Sequence, residues 1–214
     1  MDAPQKAIAV IIDVSRSREH ADRRALQTEL GAIFARVNEL VPALQSIEAT
    51  VGDEFQAAYP DLATALRATL VTRLLLSVDI DCRFGLGHGD IVTVGESRTG
   101  AIQDGSAWWS ARDAIDEAHK REYARLPFVR SWYQSGDTTE RTEIVNAYLL
   151  SRDHLLGAMK RRERALLLGQ LLGETQSELA EREGITQSAV SQNLHKSGAM
   201  SLLVGAQLLE EGRA

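Results

Sequence analysis

Ala7-Ile8-Ala9-Val10-Ile11-Ile12-Asp13 is a run of six apolar residues closed by a carboxylate. A stretch this short, with no polar alternation, predicts a strand buried on both faces at the centre of a sheet. Asp13 then stands at its C-terminal end. Downstream, Leu26, Leu30, Ile33, Phe34, Val37 and Leu40 recur every three or four residues, which predicts one apolar face of a helix over His20–Leu40, closed by Pro42. Ile47–Val51 and Phe55–Tyr59 read as strands on either side of a Gly52-Asp53 turn, a hairpin with a carboxylate at its tip. Leu62–Leu76 is a second helix with Asp61 as its N-cap. Ile80–Leu86 is a further strand, with Gly85, Gly87 and Gly89 at alternate positions before Ile91-Val92-Thr93-Val94. That pattern marks either a strand that another element approaches closely or a long, bent hairpin. Ser106–Arg121 is a third helix and Leu126–Gln134 a last strand. The order strand–helix–strand–strand–helix–strand predicts an α+β, ferredoxin-like sheet with its helices on one face.

Ser135-Gly136-Asp137-Thr138-Thr139 is polar and turn-rich, and strand signals end there. The sequence thus divides into residues 1–135, a sheet domain, and residues 136–214, an all-α domain. Predicted helices follow at Thr142–Met159, Arg162–Leu172, Gln176–Glu183, Gln187–His195 and Met200–Leu209. Residues 175–195 have the pattern of a helix-turn-helix. Thr175 and Glu178 form a capping box, Gly184 ends the first helix through a left-handed turn, and Thr186 caps the second. Ala180 is small where the two helices cross, while Ile185, Ala189, Val190 and Leu194 point inward. The outward face carries Gln187, Ser188, Ser191, Gln192 and Lys196. Glutamine can bond adenine through two atoms, and serine can contact bases or phosphates. Thr186, Gln187, Ser188, Ser191, Gln192 and Lys196 are therefore the candidate DNA-binding residues. The alternative is a helical hairpin used for protein contacts.

The chain has 214 residues, 24 Lys and Arg against 30 Asp and Glu, and a formal net charge of −6. A basic nucleic-acid coat over the whole chain is excluded, although a small DNA-reading element is not. From Lys160 onward seven basic residues balance seven acidic ones, so phosphate attraction is weak. Lys160, Arg161, Arg162 and Arg164 form the obvious phosphate-binding patch, or else a solvated helix face. A dimer reading two half-sites suits such a surface better than a monomer. In the last helix, Leu202, Leu203, Val204, Leu208 and Leu209 offer more apolar surface than a small helical unit buries, and Trp108 and Trp109 point about 100° apart on one helix. Either set supplies a homodimer contact. The lone Cys82 excludes an intrachain disulfide. No signal peptide is evident, and no stretch approaches the roughly 20 apolar residues of a membrane span, so the expectation is a cytoplasmic protein without membrane contact.

Asp13 and Asp53 lie 40 residues apart, on strands that neighbour one another in the predicted sheet. Paired carboxylates on one edge suit Mg²⁺ or Mn²⁺ carrying a nucleotide's phosphates. Gly52-Asp53-Glu54-Phe55 resembles both the GGDEF motif of diguanylate cyclases and the Gly-Asp hairpin of class III nucleotidyl cyclases. Arg83-Phe84-Gly85-Leu86-Gly87-His88-Gly89-Asp90 resembles the class III strand and glycine-rich turn. Asp104-Gly105-Ser106-Ala107-Trp108-Trp109-Ser110-Ala111-Arg112 lies where those cyclases carry a helix ending in Ala-Arg. The resemblance implies a cyclase-type palm, Asp13 and Asp53 as metal ligands, and Arg112 as the arginine that stabilises a transferring phosphate. It also departs from the cyclase pattern: Val51 replaces the first glycine of GGDEF, Trp108 stands where cyclases place an asparagine, and the Asp104-Gly105 order is reversed.

From Ala7 to about Leu209 the chain is similar to the SatD family. The matching stretches are Ile12-Asp13-Val14-Ser15-Arg16-Ser17-Arg18, Gly52-Asp53-Glu54-Phe55-Gln56, Arg83-Phe84-Gly85-Leu86-Gly87, Asp104-Gly105 with Ala111-Arg112, and the C-terminal Thr-Gln-x-Glu-Leu-Ala and Gln-Ser-Ala-Val-Ser. Ser15, Arg16, Ser17, Arg18 and Gly52 are candidate nucleotide-binding residues through backbone N–H and guanidinium groups; the alternative for Ser15–Arg18 is a well-capped, solvated loop. Trp108 is a base-stacking residue or, alternatively, part of a core or interface. The functional expectation is a DNA-binding transcriptional regulator with a nucleotide- and metal-binding palm. The alternatives are an active nucleotidyl cyclase or related phosphoryl-transfer enzyme that uses its helical tail to dimerise, and a palm kept only for dimerisation.

Overall fold

A computed structural model describes residues 4–15, 22–50, 53–77, 79–97, 100–137 and 141–212. Strand β1 (Gln5–Val14) lies between β3 (Glu54–Tyr59) and the first part of β4 (Cys82–Ser97), antiparallel to both. β2 (Gln45–Ala49) extends the sheet beyond β3, and β6 (Ser131–Ser135) runs parallel to β4 on its other side. The far end of β4 turns into a hairpin with β5 (Gly100–Asp104), a strand that the sequence reading passes over.

β1 is buried on both sides, as its composition demands. Ile8, Val10, Ile12 and Val14 join the core under α1 (Arg23–Leu40) and α2 (Leu62–Leu75). Ala7, Ala9 and Ile11 join a second layer with Ala107, Ala111 and Ile115 of α3 (Ser106–Ala124). The expectation of helices on one face is therefore corrected: α3 covers the face opposite α1 and α2. An apolar strand on both alternations needs a cover on each side. The glycines show how close that cover lies. A Cβ on Gly85, Gly87 or Gly89 would fall under 3.0 Å from the backbone of α3. The helix meets them with Ala107, Ala111, Ala114 and Ala118, all at 0% exposure.

Beyond β6 the chain is helical: α4 (Arg141–Ala158), α5 (Arg161–Leu171), α6 (Gln176–Glu183), α7 (Gln187–Lys196) and α8 (Ala199–Glu211). α2 ties the two halves together. Its Ala65, Leu66, Ala68 and Val71 lie in the sheet core, while Leu70 and Leu74 lie in the helical core with Leu166, Leu167, Leu179, Val190, Leu194 and Leu202. α4 docks on β6 by side-chain pairing: the Asn146 amide accepts from Tyr133 N–H at 2.8 Å and donates to Tyr133 C=O at 2.9 Å. One turn-pair further on, Asp153 is wholly buried. Its Oδ2 accepts from the N–H groups of Arg130 (2.8 Å) and Ser131 (2.6 Å), and its Oδ1 accepts from Arg73 Nη1 of α2 at 2.9 Å.

In α6 and α7 the predicted local chemistry is present. Thr175 and Glu178 close a capping box, Gly184 sits at φ 64°, and Thr186 Oγ1 accepts from Ala189 N–H at 3.1 Å. Among the described residues no helix is long and apolar enough to cross a membrane.

Urea unfolding of four variants tests this packing. Gly87→Ala should cost about 2 kcal/mol or more by wedging α3 off the sheet. Gly31→Ala, in a helix with open space around the added methyl, should gain about 0.5–1 kcal/mol. Asp153→Ala should cost about 3–5 kcal/mol, because it leaves Arg73 with Asp81 alone at 3.3 Å and takes the acceptor from the N–H groups of Arg130 and Ser131, and Asp153→Asn should cost less. Equal midpoints for Gly87→Ala and Gly31→Ala would contradict the close approach of α3.

Candidate functional site

The end of β1 sets the site. Asp13 faces Glu54 of β3 on one side and Arg83 of β4 on the other, as register partners across the sheet. Two adjacent carboxylates repel, and each is taken by a different guanidinium. Arg83 grips Asp13 with both prongs, Nε to Oδ1 at 2.8 Å and Nη2 to Oδ2 at 3.1 Å. Arg112, from α3, grips Glu54 in the same way at 2.7 and 2.8 Å. The pairing raises the pKa of Arg112, chiefly through its hydrogen bonds to Glu54. For Arg83, burial works against the charge, yet its hydrogen bonds and attraction to Asp13 and then Glu122 outweigh it, and the pKa rises.

Arg83 leads onward into a buried chain of alternating charge. Its Nη1 donates to Glu122 of α3 at 2.7 Å. Glu122 also meets Arg130 at 3.1 Å, Arg130 Nε donates to Asp81 at 2.8 Å, and Arg73 reaches Asp81 at 3.3 Å. Arg73 then ends on Asp153. Ser15 belongs to this chain. It is 5% exposed, with its hydroxyl donating to Glu122 at 3.1 Å and its N–H to the Asp81 carbonyl at 2.8 Å. Neither group is turned toward a phosphate.

Asp53 sits half-buried in the β2–β3 turn next to Glu54. Arg16, Ser17, Arg18 and Gly52 lie outside the described residues. Mg²⁺ or Mn²⁺ does not fit the residues as they stand. Both oxygens of Asp13 are committed to Arg83. Among the described residues no group of three or more His, Cys, Asp or Glu is placed to hold a metal ion. Cys82 is fully buried, and burial pushes its thiol pKa up.

Beside the Arg112–Glu54 pair lies a cavity of about 390 Å³, lined by Ile11, Gln56, Gln103, Trp108, Trp109, Arg112 and Asp113. α3 supplies one wall, β3 and β5 the others, and Ile11 of β1 the floor. Trp109 is 63% exposed, and its indole N–H donates to Asp104 at 3.0 Å. Asp13, Asp53 and Arg112 are legible in the sequence as chemistry-bearing residues, whereas Glu54, Arg83, Glu122 and the wall residues Gln56 and Gln103 emerge only from the fold. A charged residue set in an apolar strand or helix, such as Arg83 or Arg73, is a readable signal that it has a partner.

In α7 the side chains divide between an inner and an outer face, as the sequence pattern suggests. Thr186, Gln187, Ser188, Gln192 and Lys196 are exposed, Ser191 is half-buried, and Val190 and Leu194 are buried. The basic patch is less open than its sequence implies. Arg164 turns inward to donate to the Leu156 carbonyl at 3.1 Å, burial lowers its pKa, and Arg162 lies 3.8 Å from Glu183. Lys160 and Arg161 remain exposed.

No curated protein matches the chain. A solved bacterial light-regulated adenylyl cyclase is similar at 14% identity and a TM-score of 0.46, over 57% of this chain and 75% of that one. A second structure of a bacterial light-regulated adenylyl cyclase is similar at 14% identity and a TM-score of 0.44, over 58% of this chain and 44% of that one. The model of the SatD family matches residues 7–207, almost the entire fold described above, and the chain belongs to that family.

Proposed function

We propose that this protein is a DNA-binding transcriptional regulator that reads sequence with α7 and senses a nucleotide-type ligand with its palm. The observation that carries the reading is the face of α7. Gln187, Ser188, Gln192 and Lys196 project from a short helix whose opposite face is locked by Val190 and Leu194 and whose start is capped by Thr186. Side chains that can bond base edges, held on a rigid element and free of the core, suit major-groove readout. Lys160 and Arg161 at the start of α5 supply phosphate contacts. The catalytic alternative gains no comparable support. Arg112 and Asp13, the residues it needs, are each held by a partner within the chain.

Few exposed cations serve each copy, so useful affinity calls for two copies. Of the apolar residues in α8, Leu202 and Leu203 are buried and Leu209 packs against the sheet core. Val204 and Leu208, four residues apart, stay 45% and 61% exposed on one face. They are the contacts we assign to a homodimer.

On a site selected from random or genomic fragments, Gln187→Ala should weaken binding by about 1–3 kcal/mol and leave non-specific binding nearly unchanged. If no fragment is enriched at moderate salt, with or without nucleotide, the regulator reading fails. Light scattering at micromolar concentration should give twice 23.5 kDa, and Leu208→Glu should halve that mass without unfolding the chain. A monomer mass for the unaltered chain would exclude the α8 contact.

A further inference from the structure

The cavity beside α3 has an unusual wall. Among the described residues, the indole N–H of Trp108 and the Oε1 of Gln103 are shut off from solvent with no hydrogen-bond partner. Buried polar groups are nearly always paired, because an unpaired one bears the loss of its hydration with no return. Here one donor and one acceptor go unpaired on residues that line the same cavity. The neighbouring Trp109, by contrast, is satisfied by Asp104. Among the described residues that line the cavity, the cation is Arg112, and it is clamped by Glu54. Its volume of about 390 Å³ falls within the range of small-molecule sites.

We propose that this cavity binds an uncharged planar heterocycle, a nucleobase or its nucleoside, without metal and without needing phosphate. The ring lies over Ile11 against the indoles. A ring nitrogen accepts from Trp108 N–H, and a ring or exocyclic N–H donates to Gln103 Oε1. A half-turn of the Gln103 amide and a small tilt of Trp108 bring both atoms to the cavity, and Gln56 supplies a further amide edge. This rests on the reading that the palm is the sensing half, and it narrows the ligand from a metal-bound polyphosphate to the base alone.

Isothermal calorimetry on the full-length chain tests it, with adenosine, guanosine, cytidine and uridine titrated in EDTA, and ATP and GTP titrated with Mg²⁺. The expected result is saturable binding of at least one nucleoside in EDTA, with no gain in affinity for the triphosphate with metal. Gln103→Leu should weaken that nucleoside by about tenfold while raising the melting temperature of the unliganded chain, because it removes an unpaired buried oxygen. A glutamine with a structural role alone would lower the melting temperature and leave binding unchanged. Trp108→Phe keeps the ring, removes the donor and should weaken binding similarly. No heat with any nucleoside, or heat only with a triphosphate and Mg²⁺, overturns the proposal. Gln187→Ala should bind the nucleoside as the unaltered chain does, so a failure of DNA reading and a failure of this site are read separately.

Discussion

The Asp153 carboxylate is buried at the place where β6, α2 and α4 meet, and each of those elements answers it. β6 offers the N–H of Ser131 and the residue before it offers the N–H of Arg130, while α2 offers the Arg73 guanidinium. A bare carboxylate at that depth would not be tolerated, and a bare Arg73 at 3% exposure would not be either. Arg73 also reaches Asp81 at 3.3 Å, and Arg152 Nε of α4 lies 3.5 Å from Asp153, so the position of α4 against the sheet is specified by charge as well as by shape. Replacing such a pair with apolar residues can leave stability unchanged or raise it. Its contribution here is to fix one arrangement of the helical half on the sheet. The shared helix α2, with residues in both cores, supplies the apolar burial that the pair itself does not.

The same logic runs outward through Asp81, Arg130, Glu122 and Arg83 to Asp13. Every carboxylate on that path has at least one arginine and every arginine at least one carboxylate. This is why the strand-end aspartate, which suggests a metal ligand when read in isolation, is the outer terminus of a structural relay. Glu54, its neighbour in register, would face an unneutralised partner if Arg83 were absent. With Asp13 compensated, Glu54 is left to hold Arg112 at the rim of the cavity.

The parts of this fold that depend on local chemistry were legible in the sequence. The apolar run of β1, the Asp61 cap of α2 and the Thr175, Gly184 and Thr186 punctuation around α6 and α7 each act within a few residues. The parts that depend on pairing across long separations were not. The side of the sheet taken by α3 is decided by Gly85, Gly87 and Gly89 meeting Ala107 and Ala111, and neither set reveals the other's face alone. β5 is short and weakly patterned, and it exists because the overhang of β4 needs a partner. At the site, Asp13 and Arg112 were visible as chemistry-bearing residues. Their partners Arg83 and Glu54 were hidden inside motifs read for their glycines and aspartates.

α3 connects the two ends of this arrangement. Its first turns carry Trp108, Trp109 and Arg112 at the cavity, and its last turns carry Glu122 in the charge relay. Between them the helix is pressed onto three glycines with no side chain to cushion it. A displacement at one end is therefore carried as a rigid-body movement rather than absorbed by intervening side chains. The far end is held by Arg83 and Arg130, and Arg130 shares Asp81 with Arg73 of α2. α2 in turn lies in the core that supports α7. On the function proposed here, a ligand in the cavity biases α7 only by the difference in its affinity for two positions of α3. Under that proposal, coupling between the cavity and α7 begins at the close contact of α3 with Gly85, Gly87 and Gly89.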